Sequence, residues 1–315
     1  MTELIKTDAY QTQHTNAFRL ELLQSGLMFS AGGDEIPGFS GEFETLVTAA
    51  GDFFGRLFAD LNAEVIRFPG VISRKVFEKS RYIEGFPQLA GMVHCFCGTS
   101  DDHKRVLACI AEGEDWTQYQ QQTNAVLTPA ACYPIYPLVA TRGPIGSAGC
   151  IVDTSSYVFR HEPSIDPVRM QMFRQRELVF FGTPPQVAEF IELWLDRVTA
   201  GFESLGLDVT TDIANDAFFG RFRKMMVTAQ RSERLKTEVL LPISDPARRS
   251  ASGSCNNHKH HFSIAFGIRL ENGELAHTAC GGIGIERLVL ALCRRHGMVP
   301  REWPEDVRRS LRLAA

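Results

Sequence analysis

Three runs with the composition of strands, NAVLTP, SSYVFR and MQMFRQRELVFF, succeed one another between residues 124 and 182, separated by proline- and glycine-bearing turns. Strand-like runs that succeed one another through such turns read as an antiparallel arrangement. PPQVAEFIELWLDRVTAGFESLG then reads as a helix, with proline at its start and glycine at its end. A second helix is expected near NDAFFGRFRKMMVTAQ. The strands LKTEVLLPI, HHFSIAFGIRL and ELAHTACGG follow, and a final helix begins around Ile283. The expected class is α+β, an antiparallel sheet flanked by helices.

Upstream, GEFETLVTAAGDFFGRLFADLN spaces Phe43, Leu46, Val47, Ala50, Phe53, Phe54, Leu57, Phe58 and Leu61 by threes and fours, the period of a helix with one buried face. AEVIRFPGVISRKVF gives a short strand stopped by Pro69, which cannot donate to a ladder and so belongs at an edge or end. The division expected is a helical segment over 1–60 and a larger domain over 61–315, with a helical insertion at about 185–230.

With 315 residues, 44% of them hydrophobic, the chain can bury a large core. A net charge of −4 gives no general attraction to nucleic acid. No apolar run is long enough to span a membrane and the start lacks a secretory pattern, so a cytoplasmic protein is expected. Eight scattered cysteines suit reduced thiols or a metal site better than disulfides, and Cys95-Phe-Cys97 reads as a pair of core thiols.

Two segments carry chemistry. In Phe159-Arg160-His161-Glu162, residues two apart on a strand share a face, so Arg160 and Glu162 form either a cross-strand ion pair or a phosphate-binding arginine beside a carboxylate. Gly281, Gly282 and Gly284 precede an apolar helix bearing Arg287, either a tight turn or a close backbone approach to an anion. G-G-I-G lacks the spacing of a dinucleotide-binding loop.

Together these segments resemble motifs 2 and 3 of the class II aminoacyl-tRNA synthetases, with the seryl enzymes as the nearest branch. Motif 1 corresponds to the stretch ending at Pro69. LKTEVLLP resembles the seryl D-x-E-x-W-x-P strand, with Lys236, Glu238 and Pro242, and SGSCNNHKHHF resembles S-S-C-S-N. Where those enzymes use a T-x-E loop to hold the substrate, LTPAACYP places Cys132. The resemblance therefore implies a Cys132, Glu177 and Cys280 zinc site, like that of atypical seryl-tRNA synthetases and of the amino acid:[carrier protein] ligases, with a coordination position left for the substrate.

It also implies roles for individual residues. Arg160 would hold the α-phosphate of ATP, Glu162 the adenine amino group and Arg287 the γ-phosphate, with Arg160 and Arg287 catalytic. Lys236 would face the phosphates and the amino acid. Arg169 and Met170 would lie near adenine, and Ala251, Ser252, Gly253 and Ser254 would line the nucleotide. Magnesium would accompany ATP, and motif 1 implies a homodimer. Only about sixty residues precede motif 1, without a basic coiled-coil arm, so tRNA is a disfavoured partner. The expected reaction is adenylation of a small amino acid, glycine or alanine foremost, and its transfer to the phosphopantetheine thiol of a carrier protein. The basic run RFRKMMVTAQRSER is either a docking face for an acidic carrier or a solvated helix face. A minimal seryl-type tRNA synthetase and a non-catalytic amino-acid-binding protein are the alternatives.

Overall fold

The computed structural model describes residues 17–32, 36–214 and 233–314, together with positions 15, 216, 228 and 230. The first sixty residues hold a hairpin as well as helix: β1 (Met28–Ser30) pairs antiparallel with β2 (Pro37–Phe39). Ser40 then caps the expected helix, Gly41–Arg56, by accepting from the Phe43 amide. Phe43, Leu46, Val47, Ala50, Phe53 and Phe54 form its buried stripe.

The next strand, β3 (Glu64–Arg67), lies at the edge of the main sheet, where Pro69 costs no ladder bond. Its partner is parallel, not antiparallel: Glu64 to Arg67 run beside Val152 to Ser155. A parallel pair needs a long crossover, and residues 68–149 supply one, within which 71–127 form a small module of their own while the helix Ile135–Ala140 packs back on the main sheet. That module contains β4 (Val71–Ser73), β5 (Met92–Phe96) and β6 (Gln120–Leu127), in the order β4-β6-β5. The run NAVLTP therefore belongs to this satellite sheet and not to the main one. The expected core thiols are instead exposed: Cys95 on the edge strand β5, and Cys97 just past its end.

The main sheet continues with β7 (Cys150–Phe159), β8 (Met172–Gly182), β9 (Thr210–Ile213), β10 (Lys236–Asp245), β11 (Arg248–Lys259) and β12 (His277–Gly284). The order is β3-β7-β8-β12-β11-β10-β9, antiparallel everywhere except at β3. Three helices, Gly41–Arg56, Pro184–Ser204 and Ile285–His296, cover one face around Phe54, Trp194, Phe202 and Leu288. The Pro184–Ser204 helix, expected as the start of an insertion, thus forms part of the core. Its Thr183 and Gln186 build a capping box ahead of the buried Trp194. Trp194 lies so close beneath β12 that a Cβ at Gly281 would come within 2.5 Å of the indole, so glycine is required there. Truncating a tryptophan buried this fully costs about 3–5 kcal/mol.

One expected strand is a helix. HHFSIAFGIRL alternates apolar residues, yet His261–Phe266 coils and ends at Gly267, whose φ is 79°. Stacking decides it: helical spacing sets both Phe262 and Phe266 parallel to the Tyr136 ring, with centroids at 3.8 and 6.4 Å. The helix expected near NDAFFGRFRKMMVTAQ and the basic run at 221–234 fall mostly outside the described residues. The final helix is present at Ile285–His296, and a further one follows at Glu305–Leu311. Among the described residues no helix is long and apolar enough to cross a membrane.

Candidate active site

The face of the sheet away from the three helices opens into a cavity of about 1110 Å³, larger than one small ligand needs. Strands β8, β10, β11 and β12 form its floor, and the loop after β7 and the turn at 128–134 form its walls.

Strand alternation on β8 sorts five consecutive residues between two jobs. Phe173, Gln175 and Glu177 line the cavity. Arg174 and Arg176 point to the helical side, where Arg174 binds Glu286 and Glu44. Arg176 binds Asp153 and the Gly51 carbonyl. The guanidinium of Arg174 holds the Glu44 carboxyl below its ordinary range, whereas burial pushes Glu286 up despite the same partner.

At one end of the cavity two arginines flank an aromatic ring. The guanidinium carbons of Arg160 and Arg287 lie 5.6 and 5.4 Å from the Phe173 centroid. Arg287 donates to the carbonyls of Val168 (2.9 Å) and Ala251 (2.8 Å), and burial, then the charge of Arg160, lowers its pKa to about 10. Two cations held together in this way favour an anionic occupant. Arg160 and Glu162 lie past the end of β7 at Phe159, so strand alternation is not what brings them together. Both nevertheless line the cavity, since the Arg160 amide still donates to Gln171 across the strand pair (2.8 Å). Arg169 comes within 3.9 Å of Glu162.

Ala251, Ser252, Gly253 and Ser254 lie along β11 at the cavity floor. Met170 does not join them: it is buried in the main core and absent from the lining. Lys236 lines the cavity, but its ammonium is bound by Asp216 (2.6 Å) and Glu238 (3.0 Å). A lysine so paired sets out two carboxylates as much as a cation. Asp216 was not expected from sequence, because nothing local distinguishes it from a surface acid.

At the other end, Cys132, Glu177 and Cys280 converge with their donor atoms all within 4.8 Å of one another. Cys132 sits in the turn after β6, which is tied to the sheet by the Phe159 amide donating to Thr128 (2.8 Å). Cys280 and Glu177 are on adjacent strands, opposite Val179 and Gly282 respectively. Burial pushes the Cys132 thiol up, and burial followed by the charge of Cys280 pushes Glu177 up to about 8. The Cys280 thiol is pulled down, first by a hydrogen bond from Cys132 and then by His258. Glu177 Oε2 is buried without a hydrogen-bond partner. Two thiols and a carboxylate with an orphan oxygen, all buried, fit a thiophilic divalent cation, which would offset the cost of burying their charged forms. His258 Nε2 (3.5 Å) and Asn256 Nδ2 (3.9 Å) adjoin Cys280 Sγ, and Tyr136 adjoins His258.

This sheet, with an arginine pair at one end of its cavity, defines the catalytic core of a class II synthetase, and residues 116–296 match the family model described as tRNA synthetase class II core domain (G, H, P, S and T). The chain is 38% identical to amino acid--[acyl-carrier-protein] ligase 1 of Bradyrhizobium diazoefficiens, over 93% of its own length and 90% of the relative's. Ligase 2 of the same organism is 39% identical over 94% and 88%. Among solved structures, Methanopyrus kandleri seryl-tRNA synthetase, in a complex with Aquifex aeolicus tRNASec, superposes with a TM-score of 0.79 at 20% identity, covering 93% of this chain and 60% of that one. The chain belongs to the amino acid:carrier-protein ligases.

Proposed function

We propose that this protein activates a small amino acid with ATP and passes it to the phosphopantetheine thiol of a carrier protein, releasing AMP and pyrophosphate. The observation that carries this reading is one cavity holding the Arg160–Arg287 pair at one end and the Cys132–Glu177–Cys280 set at the other. The amino acid carboxylate must attack the α-phosphate of ATP, so two anions have to be brought together and their repulsion offset.

Arg160, which donates to the Pro129 carbonyl (3.4 Å), holds the α-phosphate, and Arg287, held by the carbonyls of Val168 and Ala251, holds the γ-phosphate. Adenine rests on Phe173, with Glu162 accepting from its amino group and Arg169 alongside. Ala251 to Ser254 approach the nucleotide from β11, and magnesium accompanies the triphosphate. Cys132, Glu177 and Cys280 hold zinc, which when bound supplies a coordination position for the amine of the substrate. Tyr133, His258 and Phe262 wall that end, leaving room for a small side chain such as that of glycine or alanine. Lys236 is held by Asp216 and Glu238 beside the substrate.

A homodimer through the segment ending at Pro69 belongs to the same reading, and Val65 on the edge strand β3 is 63% exposed. A reducing, cytoplasmic setting agrees with eight free cysteines.

Pyrophosphate exchange into ATP across the amino acids tests the first half, with glycine and alanine expected to give signal. Labelling of holo carrier protein but not its apo form tests the second. Transfer to tRNA instead would assign the chain to the seryl-type synthetases, and absence of exchange with every small amino acid would leave a non-catalytic binding protein.

A further inference from the structure

The two ends of the cavity are joined by one side chain. Gln175 lies between Arg160 Nη2 (3.1 Å) and Glu177 Oε1 (2.9 Å). A guanidinium can only donate, and the carboxylate is best served by a donor, so the amide oxygen of Gln175 faces Arg160 and its nitrogen faces Glu177. These two contacts outweigh the long one, 3.4 Å, from the Ala131 amide. Glu177 therefore has one oxygen occupied by Gln175, while the other, Oε2, is buried and unpartnered beside Cys132 and Cys280.

We infer that Gln175 is a positioning residue that couples the metal end of the cavity to the phosphate end: it fixes which oxygen of Glu177 is left for the metal and, through the same amide, the place of the Arg160 guanidinium. This rests on the reading that Cys132, Glu177 and Cys280 hold zinc. Hydrogen bonds from an outer residue to a ligating carboxylate set its orientation and commonly change metal affinity by about 10–100-fold. Coupling also follows from rigidity. With the metal bound, Glu177 is fixed, so Gln175 is fixed, and Arg160 meets the nucleotide already in place. The amide is what transmits this, because strand alternation puts the residue between the two, Arg176, on the other face.

The test compares full-length wild type with Gln175→Met, which keeps length and apolar bulk but bonds to neither neighbour. Zinc affinity is measured by competition with a chromophoric chelator, and affinity for a non-hydrolysable ATP analogue by calorimetry with and without zinc. Wild type is expected to bind the analogue about fivefold more tightly with zinc than without, a modest coupling. In Gln175→Met zinc should bind at least about tenfold more weakly, and the ratio of analogue affinities should fall to near one. A residue that merely fills space would shift stability without abolishing that ratio. If the Met variant does not fold, Gln175→Asn, too short to span both partners, takes the same measurements. Unchanged zinc affinity and unchanged coupling would overturn the inference while leaving the metal site standing. Wild type that binds no zinc would overturn the metal site and this inference with it.

Discussion

Glu177 stands opposite Gly282 in the β8–β12 pair, and a Cβ on Gly282 would meet Glu177 Cγ at 2.5 Å. The absence of a side chain at Gly282 thus leaves the space that the Glu177 carboxylate occupies. Gly282→Ala is expected to displace the carboxylate, lowering zinc affinity and amino-acid-dependent pyrophosphate exchange by about tenfold or more. Both are read on protein whose circular dichroism matches wild type; unchanged zinc affinity would show that the strand pair absorbs the methyl.

Thiol chemistry should divide the cysteines by burial. Cys95 and Cys97 are exposed, so an aromatic disulfide reagent should modify two thiols quickly. Cys132 and Cys280, buried and in the proposed zinc site, should stay unreactive with zinc present and react after chelation. Cys132→Ala and Cys280→Ala should each lose zinc and amino-acid activation together. Full exchange activity in zinc-free protein would refute that role.

On the opposite face of β8, Arg174 supports a carboxylate, Glu286, that is 2% exposed. Arg174→Met leaves that acid buried with its main cation gone, a loss of about 3–5 kcal/mol. Arg309→Ala, which breaks the exposed pair with Glu305, should cost no more than about 0.5 kcal/mol. Urea melts of the two variants make the comparison, and equal midpoints would mean that the buried pair is not structural.

The Asp216–Lys236 pair predicts a pH signature. The ammonium of Lys236 offsets the burial of Asp216 and leaves its carboxyl below its ordinary value. Such a group contributes stability above its unfolded pKa, near 4, and loses it as pH falls through the lower folded value. Asp216→Asn should therefore destabilise by about 1–2 kcal/mol at pH 7, less than unpairing a fully buried ion, since the Asp216 side chain is 33% exposed and Glu238 remains beside Lys236. The gap from wild type should shrink below about pH 4 in thermal melts. A gap that does not change with pH would mean packing, and not charge, is what was lost.

Periodicity along the chain determined the Gly41–Arg56 and Pro184–Ser204 helices and the strands β8, β10 and β12, since each depends on residues a few positions apart. The motif resemblance carried Arg160, Glu162 and Arg287 to the cavity, and named Cys132, Glu177 and Cys280 without placing them. Only the tertiary structure decided that those three meet, because Cys132 arrives from the turn after β6 and Cys280 from β12, in register with β8. It also decided the matters in which packing overrides pattern: Met170 drawn into the core, His261–Phe266 coiled against Tyr136, and β3 turned parallel by its long crossover. Gln175 lies two positions before Glu177 on β8 and carried no signal of its own in the sequence. That it joins the two ends of the site follows from distances that no spacing along the chain encodes.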